Sequence, residues 1–309
     1  MHEVKMWMNP AGGELIPVID TMPADLHTPL SVYLRLAASS KNSFLLESVE
    51  GGESLGRYSF IGADPAMVLY GNANSVTVRG PIDTPIDVTV DRPMFEILRS
   101  YFSNCCVARS GDLPPFIGGA IGYLGFNCSG WFEESVAGDG DEGGDAEFMF
   151  FRTVVAFDHA KQIISVITLV NDEEDHESAR TRNSEIRRKL ETGPIRMPKS
   201  RASKTPETVR SNWTKEEFEN SVCSVKELIK AGECYQVVLS QCFSRRTAAD
   251  PVSIYRAMRS TNPSPYMFLL QMQDRSIIGA SPEMLVKCSD RDLEYRPIAG
   301  TRMRGKTTD

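Results

Sequence analysis

The chain has 309 residues, 41% hydrophobic and 24% charged, with a formal net charge of −7 and a pI near 5.3. That length suggests about two domains and a sizeable core. A mean hydropathy of −0.25 and the lack of any apolar run near the roughly 20 residues of a bilayer span argue against a membrane protein, and an acidic balance without a basic tract argues against nucleic acid.

In chain order, short strands are expected at 43–48, 58–62, 67–70 and 75–78, punctuated by Gly and Asp-Pro turns and read as an antiparallel meander. Pro93 opens a helix to about Phe102, with Met94, Ile97, Leu98 and Tyr101 on the face that packs on the sheet. The segment 116–126 holds Gly118, Gly119, Gly122 and Gly125. It lacks the βαβ context of a dinucleotide loop, so a strand where backbones approach closely is expected. The acidic, glycine-rich stretch 138–145 reads as a surface loop without EF-hand spacing. Strands at 148–157 and 162–170, joined by Asp158-His159-Ala160-Lys161, precede a charged helix at 172–190.

Residues 196–212, with Pro198, Ser200, Ser203 and Pro206 among charges, are the linker between a first region, 1–195, and a second, 213–309. In the second, Thr214-Lys215-Glu216-Glu217 is a capping box, and Phe218, Val222, Val225 and Ile229 make an apolar stripe ending before Gly232. A strand at 234–243 places Gln236 and Ser240 among apolar neighbours. Asp250-Pro251 caps a helix to about Ser260, and Asn262-Pro263-Ser264-Pro265 forbids its continuation. Strands at 267–272, 276–280, 284–288 and 293–296 carry the chain to Gly300.

Seven cysteines, none in CxxC spacing, read as mostly reduced and buried. Four histidines, none closely paired, support neither a zinc site nor a Ser/His/Asp triad. The first residues lack the basic start and apolar core of a signal peptide, so a cytoplasmic location is expected. The last stretch, Arg296-Pro297-Ile298-Ala299-Gly300-Thr301-Arg302-Met303-Arg304-Gly305, combines small residues, a hydroxyl and guanidinium forks. That chemistry suits a negatively charged small molecule; it also suits a solvated basic turn.

Several motifs then converge. They are Leu45-Leu46-Glu47-Ser48, Arg57-Tyr58-Ser59-Phe60-Ile61-Gly62, Gly118-Gly119-Ala120-Ile121-Gly122-Tyr123, Gly232-Glu233-Cys234-Tyr235-Gln236-Val237-Val238-Leu239-Ser240, Asn262-Pro263-Ser264-Pro265-Tyr266-Met267, Ser281-Pro282-Glu283 and Pro297-Ile298-Ala299-Gly300-Thr301-Arg302. In this order they resemble the chorismate-utilising enzymes, and within them the large subunit, component I, of anthranilate synthase. The resemblance implies an α+β fold with antiparallel β-sheets packed as an α/β/β/α sandwich, incomplete at the C-terminus. On it, 1–195 is a regulatory-type region and 213–309 the first part of a chorismate-binding domain. It implies conversion of chorismate to anthranilate with ammonia from a glutamine amidotransferase partner (component II), with Mg²⁺ as cofactor and L-tryptophan as feedback inhibitor. The Mg²⁺ ligands and the catalytic histidine of that family lie beyond Asp309, so the isolated chain is expected to be inactive and to hold no metal.

Carried over by position, the resemblance puts a tryptophan site at Ser48, Pro265, Tyr266 and Met267. There an apolar slot, a thioether and backbone groups beside prolines suit an indole and a zwitterion. It puts chorismate against Gly300 and Thr301. Relatives that add water carry a lysine base where this chain has Gln236, and many aminodeoxychorismate synthases carry a lysine where it has Ala299. A glutamine cannot deprotonate water and an alanine is no nucleophile, which points to the anthranilate branch. Gln236 is thus the catalytic-position candidate, the other reading being a residue that satisfies a strand neighbour. Glu283 reads as a helix-start carboxylate. Aminodeoxychorismate synthase and a non-catalytic fragment binding tryptophan or a partner subunit remain the alternatives.

Overall fold

The computed structural model describes residues 14–37, 40–49, 56–80, 86–88, 93–108, 111–136, 146–171, 176–197, 208–300, 303 and 305. The expected loop at 138–145, most of the linker, and Thr301, Arg302 and Arg304 lie outside these. In chain order the elements begin with β1 (Glu14–Pro23), α1 (Pro29–Leu36), β2 (Asn42–Glu47), β3 (Tyr58–Ala63), β4 (Met67–Gly71), β5 (Val76–Arg79) and β6 (Ile86–Val88). They continue with α2 (Pro93–Asn104), β7 (Cys106–Val107), β8 (Gly119–Leu124), β9 (Ala146–Phe151), β10 (Thr153–Asp158), β11 (Ile163–Val170) and α3 (His176–Thr192). Next come β12 (Arg210–Ser211), α4 (Lys215–Ala231), β13 (Phe243–Ser244), α5 (Pro251–Thr261), β14 (Tyr266–Met272), β15 (Arg275–Ser281), β16 (Val286–Ser289) and β17 (Asp292–Tyr295). Two compact units result: residues 1–197 with 255–282, and residues 198–254 with 283–309.

The first unit is a four-layer sandwich. An eight-stranded sheet runs β15-β14-β2-β3-β10-β11-β1-β7, antiparallel except for the two-residue β1–β7 pair. A five-stranded antiparallel sheet runs β6-β5-β4-β9-β8. Between the sheets, Phe44 of β2 meets Phe151 of β9 edge to face at 4.8 Å, among Val68, Met149, Val154, Ala156 and Ile167. A fully buried side chain of this kind contributes about 1.5–3 kcal/mol. On the outer face of the five-stranded sheet, Met94, Ile97 and Tyr101 of α2 pack over Leu69, Val78 and Phe150. The other face of the eight-stranded sheet is covered by α1, whose Tyr33 hydroxyl lies 3.1 Å from Ser43 Oγ, and by α3. Buried Asn183 of α3 donates to Val18 O at 2.9 Å and accepts from Thr168 Oγ1 at 2.6 Å, so its amide is satisfied by the sheet it covers.

Two expectations for the first unit need correction. Residues 43–78 do not form one meander, because β2–β3 pair in the larger sheet and β4–β5 in the smaller. The chain changes sheet where Asp64 takes a left-handed φ of 54° before Pro65 and Ala66 N–H donates to Phe150 O of β9 at 2.8 Å. The single strand expected at 148–157 is likewise two, divided at Arg152, with β9 in one sheet and β10 in the other. Apolar residues lie on both sides of the break, so periodicity runs through it unmarked. The glycine-rich segment behaves as expected: a Cβ at Gly122 would stand 2.0 Å from Glu147 O on the neighbouring strand.

The second unit holds α4, the β12–β13 pair and the β16–β17 hairpin. The capping box forms as read: Thr214 Oγ1 accepts from Glu217 N–H at 3.2 Å, and Thr214 N–H donates to Glu217 Oε2 at 2.8 Å. Gly232 closes the helix in the left-handed region, φ 84°. Of the apolar stripe of α4, Val222 and Ile229 are nonetheless 39% and 41% exposed and Phe218 and Val225 only half-buried, and Leu228 beside them is 47% exposed. Among the described residues of this unit, only Val252 is buried. The strand expected at 234–243 shrinks to Phe243–Ser244, paired with Arg210–Ser211. An extended segment becomes a strand only when a neighbour takes its N–H and C=O groups, and none among the described residues flanks 234–241.

Candidate functional site

The prolines of Asn262-Pro263-Ser264-Pro265 build one wall of the first cluster. α5 ends there, with Asn262 N–H donating to Met258 O at 2.8 Å, and the chain turns extended into β14. β14 pairs with β2 so that Met267 stands opposite Glu47, and Val49 N–H donates to Ser264 O at 3.2 Å. Ser48 therefore lies at the end of β2 directly against the Pro265–Tyr266 step, and the structure brings Ser48, Pro265, Tyr266 and Met267 together. Met267 is buried; the other three are half-buried, at the margin where one end of a ligand could stay wet.

Beneath this cluster lies a carboxylate that the sequence did not single out. Glu47, its side chain 2% exposed, accepts from the Tyr255 hydroxyl at 2.5 Å, and Arg259 Nε stands 3.3 Å from the same oxygen. Burial, reinforced by the Glu47 charge, pushes the Tyr255 phenol well above its ordinary value, so it stays a donor. Nearby, His159 Nε2 is 2.9 Å from Ser59 Oγ. Ser59 is 1% exposed, so its hydroxyl is out of a substrate's reach, and burial holds the His159 imidazole below its ordinary pKa. A tyrosine and an arginine four apart in 251–261, on one helical face, were the available signal for the Glu47 contact.

The second group of expected residues is less assembled. Gln236 is exposed in irregular chain, Ala299 is half-buried and Gly300 exposed. A Cβ at Gly300 would meet nothing within 4 Å, and no hydrogen bond among the described residues joins it to Gln236. Glu283 starts no helix. It leads into β16 and pairs with Arg296 at 3.7 Å, and Arg296 also holds Glu294 at 2.6 Å. The described residues contain no group of three or more His, Cys, Asp or Glu that could hold a metal ion. No helix among them is long and apolar enough to cross a membrane. An open groove of about 940 Å³ along α2, lined by Phe95, Leu98, Phe102 and Phe132, shares no residue with either group.

Comparison with known proteins agrees with both the fold and the motifs. Residues 41–309 match the family described as chorismate binding enzyme. The chain is 38% identical over 95% of its length to a probable anthranilate synthase component 1 of Schizosaccharomyces pombe, covering 58% of that protein. It is 38% identical over 96% of its length to anthranilate synthase component 1 of Acetivibrio thermocellus, covering 61%. With the Pseudomonas putida protein of the same name it shares 37% identity over 96%, covering 62%. The chain thus spans about three-fifths of the length of these relatives. In three dimensions it resembles the crystal structure of anthranilate synthase component I from Streptococcus pneumoniae, with TM-score 0.61 and 26% identity over 87% of this chain and 59% of that one.

Proposed function

We propose, from the premise that this chain belongs to the chorismate-binding enzyme family, that it serves an anthranilate synthase component I. The identity of 36–38% to eight proteins of that name, spread over at least 95% of the chain, carries the reading. The reaction so assigned adds ammonia to the chorismate ring with loss of its hydroxyl, then eliminates pyruvate to leave anthranilate. Ammonia comes from glutamine through a component II amidotransferase, and the enzyme works in the cytoplasm. Gln236 and Ala299 favour this branch over water addition and over aminodeoxychorismate synthesis, since neither side chain supplies a base or an amine.

In this reading, the first unit carries regulation. Tryptophan lies against Ser48 and Pro265–Met267, its indole on apolar side chains and its charged end on the serine and the backbone beside the prolines. Gly300 and Thr301 form one wall of the chorismate pocket. Mg²⁺ takes its ligands from outside the described residues, and no step assigned to this chain involves it.

Isothermal titration of the 309-residue chain with L-tryptophan tests the regulatory part. Binding is expected, weakened about tenfold in Ser48→Ala by loss of one hydrogen bond to the charged end; equal affinity for both proteins overturns the site. Because Gln236 and Gly300 both stand exposed, the same chain given chorismate, Mg²⁺ and an ammonium salt is expected to make no fluorescent anthranilate. Product above a no-protein control, in material free of host enzyme, overturns that expectation.

A further inference from the structure

We propose that Tyr255 and Arg259 are positioning residues for the effector site, cross-bracing its two walls through the buried carboxylate of Glu47. The proposal rests on the reading that tryptophan binds at Ser48 and Pro265–Met267.

The walls come from distant parts of the chain. One is the end of β2, where Glu47 pairs with Met267 and Ser48 follows. The other is the turn that leaves α5 through Asn262-Pro263-Ser264-Pro265. Backbone bonds join them at the site, including Val49 N–H to Ser264 O. A second tie lies one to two helical turns back, where Tyr255 and Arg259 of α5 reach Glu47 Oε2 at 2.5 and 3.3 Å. The four-residue spacing places both donors on one helical face, so the helix holds the carboxylate as a unit.

A carboxylate 2% exposed is deprived of water on nearly all sides, and its orientation is set by the donors that replace it. A titratable neighbour is His159 of the β10–β11 turn, whose ring is bonded to Ser59 and whose charging burial opposes. Tyr255 and Arg259 therefore fix where the carboxylate lies. Ser48 follows Glu47 directly at the end of β2, so the anchor on the Glu47 carboxylate bears on the backbone that carries the Ser48 hydroxyl. Taking the Tyr255 hydroxyl away frees the carboxylate to swing toward the open side of Arg259, which is 43% exposed, and loosens the β2 end against the proline turn.

The test is calorimetric titration of the full chain with L-tryptophan in wild type, Tyr255→Phe, Arg259→Gln, Arg259→Lys and Ser48→Ala, each with its thermal midpoint. Tyr255→Phe keeps the ring but takes a donor from a buried carboxylate, so its midpoint is expected to fall and its folded fraction to bind about tenfold more weakly. Arg259→Gln is expected to weaken binding severalfold and Arg259→Lys, which keeps the charge, to restore most of it. That pattern separates positioning from plain stabilisation, which would move the midpoint and leave the affinity of the folded fraction alone. Should Tyr255→Phe not fold, the half-exposed Arg259 pair carries the test. Affinity within about twofold of wild type in Tyr255→Phe and Arg259→Gln, with Ser48→Ala still weak, overturns the brace and leaves the site standing. No binding by wild type overturns both.

Discussion

Helices α3 and α4 are each 17 residues long, and they behave oppositely. α3 is the more charged sequence, yet it sets Ala179, Asn183 and Leu190 into the sheet of the first unit. α4 has the cleaner apolar stripe, a complete capping box and a glycine stop, and it buries none of its residues. Local signals decide that a helix forms, while burial depends on what lies across from it. An amphipathic pattern states that a face needs a partner, without supplying one.

The largest test of that contrast compares truncations. Phe44→Ala, in the fully buried contact between the sheets, is expected to cost about 3–5 kcal/mol in urea unfolding, whereas Leu228→Ala on α4 costs under about 1 kcal/mol. Comparable losses would mean that the α4 stripe is covered in solution. A smaller effect isolates the local term: Thr214→Ala should remove about 1 kcal/mol of helix stability. By hydrogen exchange the loss should fall on α4 amides and leave β2, β10 and β11 protected as before; a loss spread through the sheet would show that the units unfold together.

The smallest effect is in pH. Burial lowers the pKa of His159, with Glu47 and Asp158 opposing and Arg259 assisting, and burial likewise lowers that of His27. Near neutral pH both are uncharged whether the chain is folded or not. As the pH falls through about 6.5, the unfolded chain takes up protons that the folded one resists, so stability drops. The thermal midpoint should therefore decline below that pH, and His159→Gln should flatten the decline; a midpoint level from pH 7 down to pH 5 would contradict it.

What could be read from the sequence follows the same division. The helix ends at Thr214, Gly232 and Pro251, the hairpin at Asp158–Lys161 and the close approach at Gly122 are local chemistry, and all were legible. Sheet membership is not local. Nothing near Arg152 announces that Phe151 and Thr153 enter different sheets, and nothing in 234–241 tells that no strand among the described residues lies beside it. β1 and α1 went unread although Thr28 caps α1 onto Pro29. In the site, the motifs containing Ser48 and Pro265–Met267 were visible, and the β2–β14 pairing gives them their proximity. The role of Glu47 has no local mark, because its donors lie more than 200 residues away in the chain.

The two places where the chain changes sheet have a consequence for tolerance to insertion. Asp64–Ala66 and the lone Arg152 are the shortest connections in the first unit between strands of facing sheets. A residue added or removed at Arg152 would shift β9 or β10 by one position and turn its side chains to the opposite face. Because β4 and β3 pair with those same strands, the error would pass into both sheets at once. Length variation among homologues should therefore collect in segments such as 138–145 and be absent at 64–66 and 152.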